Sequence, residues 1–339
     1  MKKILIYLLS FILICFVIPA MLTRRTASTV AQENTNLETQ QNMNNSTNQE
    51  EIQSYKYSKY GTINLLHKKT GETQQVALDD YLCNVVSAEM PANFEIEALR
   101  AQAIVARTYT IYKILNKKHE NADICDDSTC CQAWISKEDR LARWEEGKRE
   151  RNWKKICDCV NSTKGKIITY NNQPINAFFH SNSGGITEIP VNVWGGTGYP
   201  YLQSVETSGE DAYNQYASEV VFTQEELINK LKEKYSDISI DFSNNDEIKI
   251  LEKTESTRVK TVKFGNYEFS GVEARTLFGL KSTNFEITKD GNNIKFSVKG
   301  YGHGVGMSQT GADSMAKQGS TAEEIIKHFY TGVEIKDVN

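Results

Sequence analysis

From Ile4 to Leu22 the chain is apolar except at Ser10 and Pro19, with Lys2-Lys3 before the run and Arg24-Arg25 after it. A helix of that length covers roughly 28 Å, about the thickness of a bilayer's hydrocarbon core. A cleaved signal usually has a shorter apolar region and a small-x-small site, and Ile18-Pro19-Ala20 is a poor match to one. The pattern therefore predicts a retained transmembrane anchor over residues 1–25, with a cleaved signal as its rival. With no second span following, the N-terminus is expected inside and the remainder outside. From Thr26 to Ser54 large apolar side chains almost vanish and Asn, Gln, Ser and Thr dominate. Such a stretch buries too little surface to offset the entropy of ordering, so residues 26–54 read as a flexible stalk. The folded part is expected over residues 55–339.

Within that part, Thr62 to Ala77 reads as two short strands around a turn at Gly71, with Leu65 and Val76 facing a core. Leu78, Tyr81, Leu82, Val85, Val86 and Glu89 then fall at i, i+3, i+4, i+7, i+8 and i+11, the spacing of one helix face. That apolar stripe ends in a carboxylate, and Met90-Pro91 stops the helix directly after it. A second helix, about Glu95 to Asn116, is rich in alanine and carries Gln102, Arg107 and Tyr109. Residues 116–165 are charged and cysteine-rich and read as a loop followed by a helix. Two strands are predicted between Ile167 and His180. In the second, Ile175, Ala177 and Phe179 alternate with Asn176, Phe178 and His180 before running into Ser181-Asn182-Ser183-Gly184-Gly185. Thr223 and Glu226 form a capping-box signature ahead of a Leu227–Lys234 helix. Strands around residues 248–251, 259–264, 285–288 and 294–298 and a short helix near 272–277 follow, then the glycine-rich Gly300–Gly306 and a helical region from Ser308 to Tyr330. No repeat is visible. The fold class is α+β: helices carrying Glu89 packed with antiparallel sheet, a candidate subdomain over about 206–298, and a groove between subdomains.

Charge narrows the choice of function. The 339 residues hold 43 acidic and 39 basic side chains, a net charge of −4, and no local basic patch, so nucleic acid is not an expected partner. Seven cysteines are too few to build a domain of this size from disulfides, and an odd number cannot all pair within the chain. Cys15 lies in the apolar run, which leaves six outside it.

Four features can carry chemistry. Glu89, on an apolar stripe, is desolvated, which raises a carboxyl's pKa toward that of a general acid at neutral pH; alternatively it reaches solvent at the helix end or pairs with a basic residue such as Arg107. His180 and the loop of Ser181, Ser183 and Gly184 can offer an imidazole, hydroxyls and amides to a polar ligand, although a turn without a ligand is equally natural. Tyr301 to Gln309 surrounds His303 with three glycines, but its spacing is not the dinucleotide GxGxxG and it lacks a P-loop lysine. His119, Cys125, Cys130 and Cys131 are spaced H-x5-C-x4-C-C, which suits a closed, structural zinc site; disulfides are an even rival, with Cys157-x-Cys159 as the nearest partner in sequence. Cys83 reads as a small buried hydrophobe. No HExxH occurs, which argues against a zincin-type peptidase.

Three blocks together are more specific than any one. Val85-Val86-Ser87-Ala88-Glu89-Met90-Pro91 with Ala98-Leu99-Arg100-Ala101-Gln102-Ala103-Ile104-Val105-Ala106-Arg107-Thr108-Tyr109 resembles the stage II sporulation protein D family. So do Phe179-His180-Ser181-Asn182-Ser183-Gly184-Gly185-Ile186-Thr187-Glu188, with Val193-Trp194-Gly195-Gly196 and Pro200-Tyr201-Leu202 behind it, and Gly302-His303-Gly304-Val305-Gly306-Met307-Ser308-Gln309 with Gly311-Ala312. The resemblance runs in order from about Leu78 to the C-terminus.

The resemblance implies a membrane-anchored lytic transglycosylase that needs no cofactor for catalysis. It would cut peptidoglycan during forespore engulfment, from the mother-cell membrane with its enzymatic domain outside the cytoplasm. The glutamate before Met-Pro, Glu89 here, would be the catalytic acid at the N-acetylmuramic acid–N-acetylglucosamine bond, leaving 1,6-anhydro ends. Arg107, Tyr109, His180, Ser181, Ser183, Gly184, His303 and Gln309 would line the sugar groove. The implied partners are an amidase, stage II sporulation protein P, and a membrane scaffold, protein M of the same stage. Clostridial-type members resemble the His119…Cys125…Cys131 spacing and imply a bound zinc, with Cys130 as the fourth ligand. Cys130-Cys131 and Cys157-x-Cys159 depart from the general family pattern. The main rival is a non-catalytic cell-wall module that enhances a partner amidase. A Cys/His hydrolase using Cys125 or Cys131 is disfavoured, because clustered cysteines serve better as ligands.

Overall fold

A computed structural model describes residues 57–338; the expected anchor and stalk lie outside the described residues. Among those described, no helix is long and apolar enough to cross a membrane. Gly71, at φ +77°, reverses the chain between β1 (Thr62–Leu66) and β2 (Thr73–Ala77), which pair antiparallel. Helix α1 (Leu78–Glu89) follows at once and buries Leu78, Tyr81, Leu82, Val85 and Val86, the face its spacing predicts. Pro91 cannot continue it, and α2 (Ile96–Leu115) begins five residues later. Ala98, Ala101, Ala103 and Ala106 are fully buried, and these small side chains let α2 serve as the central helix.

Strand β3 (Ile124–Cys125) pairs parallel with β1, so the cysteine-rich loop is stitched beside the first hairpin. The charged stretch then forms α3 (Lys137–Arg143) and α4 (Arg149–Ser162). Around α2 pack α1, α4 and β4 (Lys166–Tyr170).

The predicted second strand of this region is not realised. Only β5 (Gln173–Pro174), paired with β4, and β6 (Phe179–His180) are strand; the Ile175 amide still reaches the Ile168 carbonyl at 3.2 Å, and residues 176–178 leave the ladder. The Asn176 amide N–H instead donates to the Tyr201 hydroxyl at 3.0 Å and its side chain donates to the Tyr199 hydroxyl at 3.2 Å. Asn176 and Ala177 are consequently both buried, and the apolar-polar alternation is lost.

After α5 (Pro190–Trp194) the chain enters a segment with its own apolar cluster. It contains β7 (Ala217–Thr223), α6 (Gln224–Lys232), β8 (Ile248–Lys253), β9 (Val259–Phe264), β10 (Tyr267–Ser270), α7 (Gly271–Phe278), β11 (Asn284–Asp290) and β12 (Asn293–Lys299). The strands form two antiparallel sheets, β10-β9-β8 and β11-β12-β7, around Phe264, Phe269, Phe278 and Phe296. Thr223 and Glu226 close the predicted capping box, so α6 starts three residues before the predicted helix.

The chain returns through β13 (Met307–Ser308), which pairs parallel with β6. Then α8 (Gln309–Lys317) and α9 (Ala322–Phe329) pack on α2. Strand β14 (Glu334–Asp337) closes antiparallel on β4. The β6–β13 pairing brings the His180 loop beside the start of α8, although well over 100 residues separate them in sequence. The described residues all fall in one compact unit.

Candidate functional site

Glu89 is the last residue of α1, half-buried where the apolar stripe ends. Its Oε1 accepts the Ala133 amide N–H at 2.7 Å, and its Oε2 lies 3.3 Å from Gln309 Nε2. Desolvation raises its pKa, and those two donors only partly offset the rise. No ionised neighbour contributes to the shift. Gln309 reaches Glu89 because Ser308 caps α8, accepting the Gly311 amide at 3.2 Å and fixing the first turn. On the far side of Gln309, Gln102 Oε1 of α2 lies 3.5 Å away. The loop that delivers Ala133 is held by Gln132, whose Nε2 donates to the Tyr81 and Thr110 hydroxyls at 2.9 Å each. These hydrogen-bond partners come from the 132–133 loop and from α8.

Arg107 is neither a partner of Glu89 nor a groove residue. It is fully buried, and its guanidinium donates to the Val160 carbonyl at 3.0 Å, Thr163 Oγ1 at 3.3 Å and the Lys166 carbonyl at 3.4 Å. It ties α2 to the end of α4 and the start of β4. A buried guanidinium needs such acceptors, and the sequence spacing cannot tell them from a ligand. Tyr109 is also buried, its ring 6.1 Å from that of Phe178, with the Lys113 ammonium 4.9 Å from its centroid.

His180 and His303 meet at 5.7 Å between ring centroids. The Val305 carbonyl lies 3.1 Å from His180 Nδ1, which must therefore carry the proton. The Val305 amide donates to His303 Nδ1 at 3.0 Å, so that ring carries its proton on Nε2. Burial holds both imidazoles neutral: His180 is lowered to about 4, and His303 lies well below its ordinary value. The unprotonated Nε2 of His180 is buried without a hydrogen-bond partner. Beside them Trp194 is 51% exposed, its ring 5.1 Å from His303 and 4.7 Å from Phe178.

The Ser181–Gly185 loop is mostly engaged internally. Ser183 is fully buried, and its hydroxyl contacts Thr207 and Glu210. The Ser181 carbonyl accepts the Thr310 amide at 3.0 Å. Gly184 packs at φ +75° with backbone of Lys299 and Gly300 about 3.1 Å from where a Cβ would stand. Ser183 and Gly184 thus hold the fold together at the positions expected to contact sugar.

The centre of this network is Glu210, which sequence reasoning missed. Its buried carboxylate receives the Ser183 and Gly185 amides at 3.0 Å each, Thr207 Oγ1 at 2.8 Å and Thr310 Oγ1 at 3.0 Å, together with the Ser183 and Ser308 hydroxyls. Burial alone would raise its pKa; the converging donors outweigh that and lower it. Nearby, buried Arg258 donates to the Ile186 carbonyl at 2.9 Å and the Ser183 carbonyl at 2.6 Å. Gly304, at φ +83°, packs so tightly on that guanidinium that a Cβ would lie 2.5 Å from it.

His119, Cys125, Cys130 and Cys131 converge, their donor atoms all within 4.8 Å of one another. His119 Nε2 is 3.4 Å from Cys131 Sγ and 3.8 Å from Cys130 Sγ, and the two sulfurs are 4.0 Å apart. Tetrahedral zinc with bonds of about 2.0–2.3 Å needs ligand separations of roughly 3.5–3.8 Å, so this donor set fits zinc in both chemistry and size. Cys157 and Cys159 belong to other contacts: Cys157 meets Cys83, and Cys159 Sγ lies 3.9 Å from the Ile96 carbonyl.

A family model described as "Stage II sporulation protein" matches residues 66–170. The chain is 37% identical over 269 residues to stage II sporulation protein D of Bacillus subtilis (strain 168), covering 78% of this chain and 76% of that protein. It is 34% identical over 270 residues, with the same coverage, to the protein of that name from Bacillus amyloliquefaciens. It is also 29% identical over 303 residues to the amidase enhancer of Bacillus subtilis (strain 168), covering 75% of this chain and 40% of that protein. The chain belongs to the stage II sporulation protein D family, a sporulation family linked to processing of the cell wall.

Proposed function

We propose that this member of the family is a lytic transglycosylase that cleaves the bond between N-acetylmuramic acid and N-acetylglucosamine in peptide-stripped peptidoglycan. The observation that carries the reading is Glu89: a carboxyl at the end of an apolar helix face whose pKa desolvation raises, oriented by one amide and one carboxamide. Hydrolytic glycosidases generally need two carboxyls, because one must act as nucleophile or activate water. When the substrate's own hydroxyl is the nucleophile, one group can perform both proton transfers. Glu89 gives its proton to the glycosidic oxygen as the C1–O bond breaks. The muramic 6-hydroxyl then closes on C1 and returns its proton to the carboxylate, leaving a 1,6-anhydro end.

Gln309 and the Ala133 amide orient the carboxyl through these steps. The exposed face of Trp194 offers a flat apolar surface suited to stacking on a sugar ring, next to the neutral His180–His303 pair. His119, Cys125, Cys130 and Cys131 would hold a structural zinc. That ion would contribute stability but no chemistry, because four protein ligands leave no open position. On this reading the protein is anchored in the mother-cell membrane with residues 55–339 outside the cytoplasm, working during engulfment beside an amidase, stage II sporulation protein P, and a scaffold, protein M.

The test is digestion of peptide-stripped glycan strands with residues 55–339 and with Glu89→Gln, read by mass spectrometry. Anhydro-ended products that vanish in the variant are expected. Reducing ends would mean hydrolysis, and full activity in Glu89→Gln would remove the acid assignment. Strand binding with no cleavage by either protein would leave the amidase-enhancing module as the reading.

A further inference from the structure

The two described cysteines that the zinc reading and the Cys159–Ile96 contact leave over face each other across a helix pair. Cys83 lies on α1, six residues before Glu89, and Cys157 lies on α4, which packs directly against α1. Their thiols are within hydrogen-bonding reach of each other. Cys159, two residues on, is turned about 200° round the helix and meets α2 instead, so the Cys-x-Cys motif divides between two neighbours. Cys83 is 5% exposed, whereas Cys157 is half-buried and open to a reagent.

We propose that Cys83 and Cys157 form a reversible disulfide that cross-links α1 to α4. The hydrogen bond from Cys83 and the charge of Lys137 hold the Cys157 thiol below its ordinary range, while the Cys83 thiol is pushed up. Cys157 is therefore the sulfur that ionises first and attacks. The oxidant is a second disulfide, either a small molecule R–S–S–R or an oxidised thiol oxidoreductase. Cys157 thiolate attacks one of its sulfurs, forming a mixed disulfide and releasing RS⁻. Cys83 then loses its proton to solvent and attacks the Cys157 sulfur, expelling the second RS⁻. The two protein thiols lose two electrons and the reagent disulfide gains them. The cross-link encloses residues 84–156, which contain the four zinc-site residues and Glu89. It does not depend on the reaction assigned to Glu89.

The test uses the full chain, purified reduced and zinc-loaded, equilibrated in glutathione buffers of increasing oxidised fraction, then alkylated, digested and analysed by mass spectrometry. A Cys83 peptide joined to the peptide holding Cys157 is expected, present in Cys159→Ser and absent in Cys157→Ser. The melting temperature of the oxidised protein should rise by about 5 °C or more for a closed loop of this length, and the rise should be missing in Cys157→Ser. Cys83 found alkylated at every buffer ratio, or joined instead to Cys125, Cys130, Cys131 or Cys159, overturns the proposal. Cys157→Ser replaces a half-buried thiol by a near-isostere, so the comparison does not rely on a core substitution.

Discussion

Replacing Glu210 by glutamine tests whether the loop after His180 is held by one buried charge. The native carboxylate receives two amides and four hydroxyls drawn from residues 183, 185, 207, 308 and 310. Glutamine keeps one acceptor oxygen and puts an NH2 donor where the other stood, facing groups that are themselves donors. Hydroxyls can rotate to accept, but backbone amides cannot. A hydrogen bond to a charged group is worth roughly 1.5–3 kcal/mol, and a buried donor left unpaired costs roughly 1–3. With either the Ser183 amide unpaired or the Gly185 amide left only its 3.2 Å bond to Ser183 Oγ, and several charge-assisted bonds weakened, the expected loss is about 3–5 kcal/mol, within the range for breaking buried polar networks. Urea unfolding of residues 55–339 at pH 7 should show a lower midpoint with the same slope, and calorimetry a fall of roughly 5–10 °C. The sign with pH is also fixed. The folded pKa of Glu210 is lowered, so its stabilisation is present above the unfolded value, about 4.3, and is lost as pH falls through the folded one. The gap between parent and variant should therefore narrow in acid. A difference under about 1 kcal/mol at pH 7, or one that widens in acid, refutes the reasoning.

Gln309→Ala removes a donor that favours the ionised form of Glu89; kcat should fall on the order of 10-fold, and the alkaline limb of kcat/KM should move to higher pH. An unmoved limb would deny Gln309 its positioning role. Dialysis against a strong chelator should release about one zinc per chain and lower the melting temperature, and Cys131→Ser should lower it likewise by removing one ligand. Metal analysis and calorimetry that show neither would end the zinc assignment. His180 is lowered to about 4 against roughly 6.5 when unfolded, so its contribution is fully present above about 6.5 and lost as pH falls toward 4, a change of roughly 3 kcal/mol. Denaturation at several pH values should find this slope reduced in His180→Gln, and an identical slope would count against it.

How much was legible in the sequence depended on how local the cause was. Helix α1 and the place of Glu89 on it follow from spacing within twelve residues, and the stop at Met90-Pro91 follows from proline's missing N–H. The strand expected over Ile175–His180 failed because tyrosines 23 to 25 residues away take the hydrogen bonds of Asn176. Arg107 looked like a ligand-binding residue, yet its acceptors lie on α4 and at the start of β4, over 50 residues on. Glu210 sits in a short turn with no periodicity, and three of its donors lie 27 or 98–100 residues away. The cysteine spacing left zinc and disulfide even; the folded chain separates Cys157 and Cys159 from the cluster by giving each another neighbour.

The position of Glu89 as the final residue of α1 has an electrostatic consequence of its own. A helix carries partial negative charge at its C-terminus, where the last carbonyls lack intrahelical partners, and a carboxylate placed there is disfavoured by roughly 0.3–1 kcal/mol. The same axis that fixes the position of Glu89 therefore also opposes its ionisation. In the proposed reaction, once the proton has gone to the leaving group, that field would make the carboxylate a stronger base, ready to recover a proton from the muramic hydroxyl. A glutamate at the N-terminal end of a helix would meet the opposite field and be held as a carboxylate, suited to binding cations and poorly suited to giving up a proton.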